Sequence, residues 1–283
     1  MATLKQIRRR IRTVRSTRHI TKAMEMVAAA KLRRAQAAAA GARPYADAMQ
    51  GVLQRLAGAS RTLSHPLFEL RAVRRLAVVA VAADKGLCGG FNTSVLRRAQ
   101  ACIGEAPDGA AEIVPVGRRM WRAFRAGERE GALGLELLGD LADWDAARDL
   151  AQRLTERFLE GRVDRVDVVY THFETVARRE VVKEALIPVE PRRGEGVPGD
   201  YIFEPDAAQV LAQLLPRYIA TRLFAIFAES VASEHAARMQ AMGNATRNAD
   251  EMIESLTLTG NKLRQAAITR ELTELVGGAE ALI

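Results

Sequence analysis

The chain has 283 residues, 48% of them hydrophobic and 27% charged, with a formal net charge of +8. That length and apolar content suit one sizeable core plus an extension, and they exclude a disordered chain. Cys88 and Cys102 are too few for a disulfide framework, and both read as free thiols.

From Ala2 to about Gln54 the only proline is Pro44, and Leu4, Ile7, Ile11 and Val14 fall three and four apart. This spacing puts them on one face and predicts a long helix over 1–58. The stripe then resumes at Ile20, Met24 and Val27, a phase drift that predicts an irregular supercoil rather than a strict zipper. The same segment carries Lys5, Arg8, Arg9, Arg10, Arg12, Arg15, Arg18, Lys22, Lys31, Arg33 and Arg34 against one acid, Glu25. Such a surplus suits nucleic acid, anionic lipid or an acidic protein surface, or simply a solvated helix face. Residues 1–44 hold no aromatic side chain that could stack on bases, which argues against single-strand binding.

Residues 74–190 predict a separate domain. Leu76–Ala83 is strand-like, Asp84–Gly90 is a glycine turn, and a helix follows over about 92–103. Further strands are expected at Ala111–Val116, at 166–172 and, at a sheet edge, at about Arg179–Ile187; helices are expected at 118–126 and 144–160. Alternation of this kind predicts a parallel or mixed sheet covered by helices. The uncharged run Leu76–Ala83 is too short to cross a bilayer, and the basic start has no apolar stretch behind it, so neither a membrane span nor a secretory signal is expected. Gly86, Gly89 and Gly90 do not have dinucleotide-fingerprint spacing, and a tight turn with positive backbone angles explains them better than phosphate binding. His19, His65, His172 and His235 are scattered without metal-ligand spacing. No catalytic residue, metal site or cofactor is expected.

The stretch 191–204, rich in proline, glycine and charge at its start, reads as a linker. A last helix is expected over 205–283, with Met242, Ala249, Ile253, Leu256 and Leu263 on a narrow stripe suited to one partner helix. Pro216 is expected to kink its start. At about 1.5 Å per residue, some seventy helical residues reach roughly 100 Å, so much of this helix is expected to project from the domain.

Six segments, in order along the chain, carry a resemblance. They are Ile20–Ala29 (ITKAMEMVAA), Arg43–Ala46 (RPYA), Asp84–Asn92 (DKGLCGGFN), Tyr201–Asp206 (YIFEPD), Ser233–Met239 (SEHAARM) and Asn261–Thr269 (NKLRQAAIT). Together they resemble the gamma subunits of rotary, F-type ATP synthases. The resemblance implies an α/β fold class: a long antiparallel coiled coil of N- and C-terminal helices plus a central Rossmann-like domain that binds no nucleotide. It implies a non-catalytic rotor shaft inside a ring of alpha and beta subunits, seated on the small epsilon subunit and the membrane ring of c subunits, and coupling proton flow to the three catalytic sites. By the same resemblance Arg264, Gln265 and Thr269, with Arg238 lower on the helix, contact the beta catch loop, and Met24 faces a beta subunit. Tyr201 and Glu204 belong to the foot on the membrane ring. Gly260 stands where many members carry an aromatic residue, which implies a packing gap and a locally softer shaft. The regulatory cysteine pair of chloroplast members is missing. A bacterial protein, peripheral on the cytoplasmic face of the inner membrane and without a nucleic-acid partner, is the expectation. The rival is a basic coiled-coil nucleic-acid-binding protein, whose affinity would fall steeply with salt.

Overall fold

A computed structural model of the chain describes residues 3–59, 65–106, 110–125, 133–190 and 207–280. Its first helix, α1, spans Leu4–Ala59 and passes through Pro44. A capping box starts it: the Gln6 amide donates to the Thr3 hydroxyl at 3.3 Å, and the Thr3 amide donates to Gln6 Oε1 at 2.9 Å. The last helix, α5, spans Ala207–Glu280 and passes through Pro216. By packing, the chain divides into residues 1–27 with 239–283, and residues 28–238.

In the first unit the two helices run antiparallel. A Cβ on Gly260 would meet Ile7, Arg18 pairs with Asp250 at 3.0 Å, the Thr21 and Thr246 hydroxyls lie 2.8 Å apart, and Gly243 lies against Glu25. The expected phase drift on α1 does not occur. Positions 4, 7, 11, 14, 18, 21, 25, 28, 32 and 35 are all protected and keep a seven-residue repeat, with Met24 partly protected beside it, whereas Ile20 and Val27 are 58% and 55% exposed. The seam passes through Arg18, Thr21 and Glu25, whose polarity hides it from a reading by apolar residues alone. A sustained 3.5-residue period gives a left-handed supercoil. On α5 the matching seam is Met242, Thr246, Ala249, Ile253, Leu256, Gly260 and Leu263, as the spacing of its apolar members predicts.

The packing gap expected at Gly260 is also absent. The helix is continuous there, and Ile7, only 3% exposed, occupies the space: an added Cβ would stand 3.3 Å from Ile7 Cγ2. At Gly243 the nearest atom to such a Cβ is a Glu25 side-chain carbon at 3.5 Å, an ordinary contact. Gly243→Ala is therefore expected to stabilise the chain by about 0.5–1 kcal/mol, while Gly260→Ala gives back part of the same gain by displacing Ile7. Thermal unfolding midpoints should rank Gly243→Ala above Gly260→Ala; the reverse order would contradict this packing.

In the second unit, β1 (Leu76–Val81) lies between β2 (Ala111–Val116) and β3 (Arg165–Phe173), parallel to both, and β4 (Arg179–Ile187) pairs antiparallel with β3 at the sheet edge. All six β1 side chains are buried, as suits a central strand covered on both faces. The covering helices are α2 (Phe91–Gly104), α3 (Arg118–Arg125) and α4 (Trp144–Leu159). Asp143 caps α4 by accepting from the Asp145 amide at 3.0 Å. The α5 residues Leu215, Ile219, Leu223, Ile226, Phe227 and Val231 are completely buried. One window of α5 is apolar enough by composition to cross a bilayer, but these side chains fill the core of the domain instead. Arg222 of α5 forks onto Glu184 of β4 at 2.5 and 2.6 Å, and Tyr170 of β3 donates to the same carboxylate at 3.1 Å. Cys88 and Cys102 are buried free thiols in the core around β1 and α2.

Candidate subunit-contact surface

The start of α1 sets the limit of the paired helices. Ile7 lies against Gly260, so the antiparallel register brings Thr3 to about the level of Arg264. The α5 seam accordingly ends at Leu263, and every side chain from Arg264 to Val276 is exposed. Arg264, Gln265 and Thr269 all lie on this lone stretch, with their side chains open to solvent. Its large apolar residues are bare as well: Ile268, Leu272, Leu275 and Val276 are 49%, 57%, 71% and 60% exposed. At spacings of four, three and one they form one stripe, out of phase with the seam, which would next have reached Ala267 and Arg270. An apolar stripe left exposed in this way among the described residues is a candidate protein-contact surface.

Most of the basic surplus, from Lys5 to Lys22, belongs to the same unit, whereas Lys31, Arg33 and Arg34 belong to residues 28–238. Arg18 is matched by Asp250 and Lys22 by Glu25, whereas Lys5, Arg8, Arg9, Arg10, Arg12 and Arg15 join no ion pair among the described residues. Arg9 and Arg10 line a groove of about 610 Å³ together with Gln6, Thr13, Val14, Met252 and Leu256. Guanidinium groups beside apolar side chains suit an acidic protein segment better than bare phosphate. Met24 is half-buried beside the seam. Tyr201 and Glu204 lie outside the described residues.

Arg238 is placed otherwise than expected. Its side chain turns inward, 9% exposed, and is fully engaged within residues 28–238. Nε and Nη2 donate to the Gly86 carbonyl at 3.3 and 3.2 Å, and Nη2 also donates to Glu234 Oε1 at 2.6 Å. The physical reason is local: Glu234 stands one helical turn before Arg238 and supplies the counter-charge that lets the guanidinium be buried. Arg238 is thus a clamp on the glycine turn within its own chain.

The turn itself is held from several sides. Asp84 accepts from the backbone amides of Arg118, Leu138 and Gly139 at 3.0, 3.1 and 2.9 Å. Asn92 Oδ1 accepts from the Ala83 amide at 3.0 Å, and Nδ2 donates to the Lys85 carbonyl at 3.3 Å. Of the three glycines read as turn-formers, only Gly89 has a positive φ, +58°; at Gly86 a Cβ would meet Arg119 Nη2 at 2.5 Å. Leu87, not a glycine, takes φ +63° and is 61% exposed. A bulky residue held in that region and pointed outward marks a surface the fold maintains at a cost. Sequence reasoning passed over Asp84 and Leu87; the one available signal was an acid directly after a buried strand, where it can gather loop amides. Among the described residues no group of three His, Cys, Asp or Glu side chains could hold a metal ion.

The chain is thus a paired-helix protein with an α/β domain inserted in sequence between its two long helices. The ATP synthase family profile matches residues 3–282. The ATP synthase gamma chain of Desulforamulus reducens is 45% identical over 284 residues, and that of Pelotomaculum thermopropionicum 44% over 286, each match covering 100% of both chains. Among solved structures, a chain of the Euglena gracilis mitochondrial ATP synthase OSCP/F1/c-ring assembly superposes with a TM-score of 0.67 at 20% identity, covering 99% of this chain and 94% of that one. A chain of the Tetrahymena thermophila mitochondrial ATP synthase central stalk and c-ring gives 0.60 at 24% identity, covering 80% and 99%. The chain belongs to the ATP synthase gamma chain family.

Proposed function

We propose that the chain is the non-catalytic rotor shaft of an F-type proton-translocating ATP synthase, its bare α5 tip seated inside a ring of alpha and beta subunits. The observation that carries this reading is the stretch Arg264–Val276, a helix with no partner among the described residues and an apolar stripe left exposed. Apolar side chains suit a socket in which a shaft must turn, because they give contact without directional bonds that would hold one angle. Arg264 and Gln265 supply the few directional contacts, and the arginines at the start of α1 meet carboxylates of the ring. At the other end we assign the chain to a membrane ring of c subunits and to the epsilon subunit, with Tyr201 and Glu204 in the foot. The complex lies peripherally on the cytoplasmic face of a bacterial plasma membrane. Native mass measurement of a gentle pull-down tests this: stoichiometric alpha and beta subunits are expected, and nucleic acid as the sole co-purifying partner would overturn it.

Met24 supplies a mutational test. Met24→Lys puts an ammonium beside the ring carboxylates and creates an ion pair that strengthens in one rotary state. An added adhesion of about 1 kcal/mol slows passage out of that state about fivefold. ATP-driven proton pumping in membrane vesicles should fall while subunit content stays normal; unchanged pumping would remove Met24 from the contact surface.

A further inference from the structure

His235 is completely buried on α5, and its ring is held at both nitrogens. Nδ1 lies 3.2 Å from an Arg238 guanidinium nitrogen and Nε2 lies 3.4 Å from the Asp140 carbonyl. A guanidinium only donates and a carbonyl only accepts, so the two contacts define one state: a neutral ring accepting at Nδ1 and donating from Nε2. The remaining Arg238 donors reach Glu234 and the Gly86 carbonyl, the latter inside the Asp84–Asn92 turn. We propose that neutral His235 is a positioning residue that holds Arg238 on the Gly86 carbonyl, so that protonating the ring releases the Asp84–Asn92 turn from α5 in acid.

A proton on Nδ1 would point at a guanidinium and turn an acceptor into a second cation. The surroundings offer that cation limited relief. Glu234 and Arg238 face it from α5, already paired with each other. Asp140 faces it from the loop before α4, its carboxylate engaged by Lys31 of α1 at 2.6 Å. Asp84, Lys85 and Cys88 belong to the turn: the Asp84 charge acts on Glu234 and that of Lys85 on Asp140, while burial pushes the Cys88 thiol up and so keeps it neutral. Burial pushes the His235 ring below its ordinary value, and the Arg238 and Lys31 charges push the same way, against the Asp140 carbonyl and carboxylate. The sign follows. The folded chain binds fewer protons at His235 than the unfolded one, so this contribution is complete above the ordinary histidine value and is lost as pH falls toward the lowered one. Glu234 is shifted upward, chiefly by burial, and contributes with the opposite sign. Replacing the histidine alone separates the two. All of these groups lie within residues 28–238, so the latch works without any partner subunit.

The test is hydrogen exchange on the full chain from about pH 7.5 to about pH 4.5, expressed as protection relative to intrinsic exchange. In the wild type, protection of the Ala83 and Phe91 amides, bonded to Asn92 Oδ1 and the Cys88 carbonyl, should drop about tenfold or more with acid while β1 and β3 keep theirs. His235→Gln, whose amide can accept and donate but cannot titrate in this range, should hold the turn at every pH. An equal loss in His235→Gln, no loss in the wild type, or a loss spread evenly through β1 and β3 would each overturn the proposal. The nitrogen chemical shifts of the wild-type ring give a reading that needs no variant. A neutral ring protonated at Nε2 at pH 7, charging over the window in which the turn opens, is expected; a ring protonated at Nδ1 or charged at pH 7 would overturn it.

Discussion

ATP hydrolysis by a complex assembled with Arg264→Ala/Gln265→Ala is expected to slow by about tenfold or more while assembly persists. The two side chains stand at the point where α5 loses its partner helix, both exposed, and neither is needed for the seam, which ends at Leu263. Alanine is a good helix former, so the tip itself should be undamaged. What is lost is directional contact with the ring: a charge-assisted hydrogen bond from a planar guanidinium and one from a neutral amide, together on the order of 2–4 kcal/mol if both are desolvated. Since about 1.4 kcal/mol corresponds to a factor of ten, the stated slowing follows when about 1.4 kcal/mol or more of that loss falls on the rate-limiting step. Assembly survives because the apolar stripe is intact. Steady-state hydrolysis by purified complex of normal subunit content is the measurement, and wild-type turnover there would remove both residues from the coupling surface.

The largest effect on the chain alone is expected at Asp84. Its carboxylate gathers three backbone amides, from Arg118, Leu138 and Gly139, and so fastens the end of β1 to the start of α3 and to the loop before α4. Asp84→Ala removes all three acceptors. Two of those amides are in part-buried bonds and the third is exposed to water, so the cost is about 3 kcal/mol rather than the full sum for three charged hydrogen bonds. Asp84→Asn, which keeps one acceptor oxygen, should lose about half as much. Urea unfolding of the isolated chain decides: a loss under about 1 kcal/mol for the alanine variant would show that the turn is held by Asn92 and Arg238 without it.

The sheet was legible because its strands are bounded by residues that cannot continue them. The expected ends of β2, Ala111–Val116, and of β4, Arg179–Ile187, coincide with those found, and the predicted edge position of β4 follows from its broken alternation. The paired helices were legible in kind but not in register. Arg18, Thr21 and Glu25 are seam residues that a hydropathy reading discards, because their partners Asp250, Thr246 and Gly243 are more than 200 residues away. Gly260 was rightly placed on the seam, yet the gap inferred beside it depended on Ile7, whose position the sequence does not give. Arg238 shows the same limit. A basic residue in a family motif reads as a contact, and only the fold reveals Gly86, 152 residues away, beneath its guanidinium. The bareness of Arg264, Gln265 and Thr269 comes from where α1 begins, which becomes meaningful only once the antiparallel register is known.

Rotation of this chain inside a catalytic ring is the expected motion. It is tested most directly by fixing the ring of a reconstituted complex to a surface, attaching a visible probe to an exposed residue of the 28–238 unit, and watching the probe during ATP hydrolysis. Rotation in one direction with three resting angles per turn is expected, because a single bare tip meets three like catalytic sites in succession. Hydrolysis proceeding at its normal rate while the probe holds one angle would contradict it.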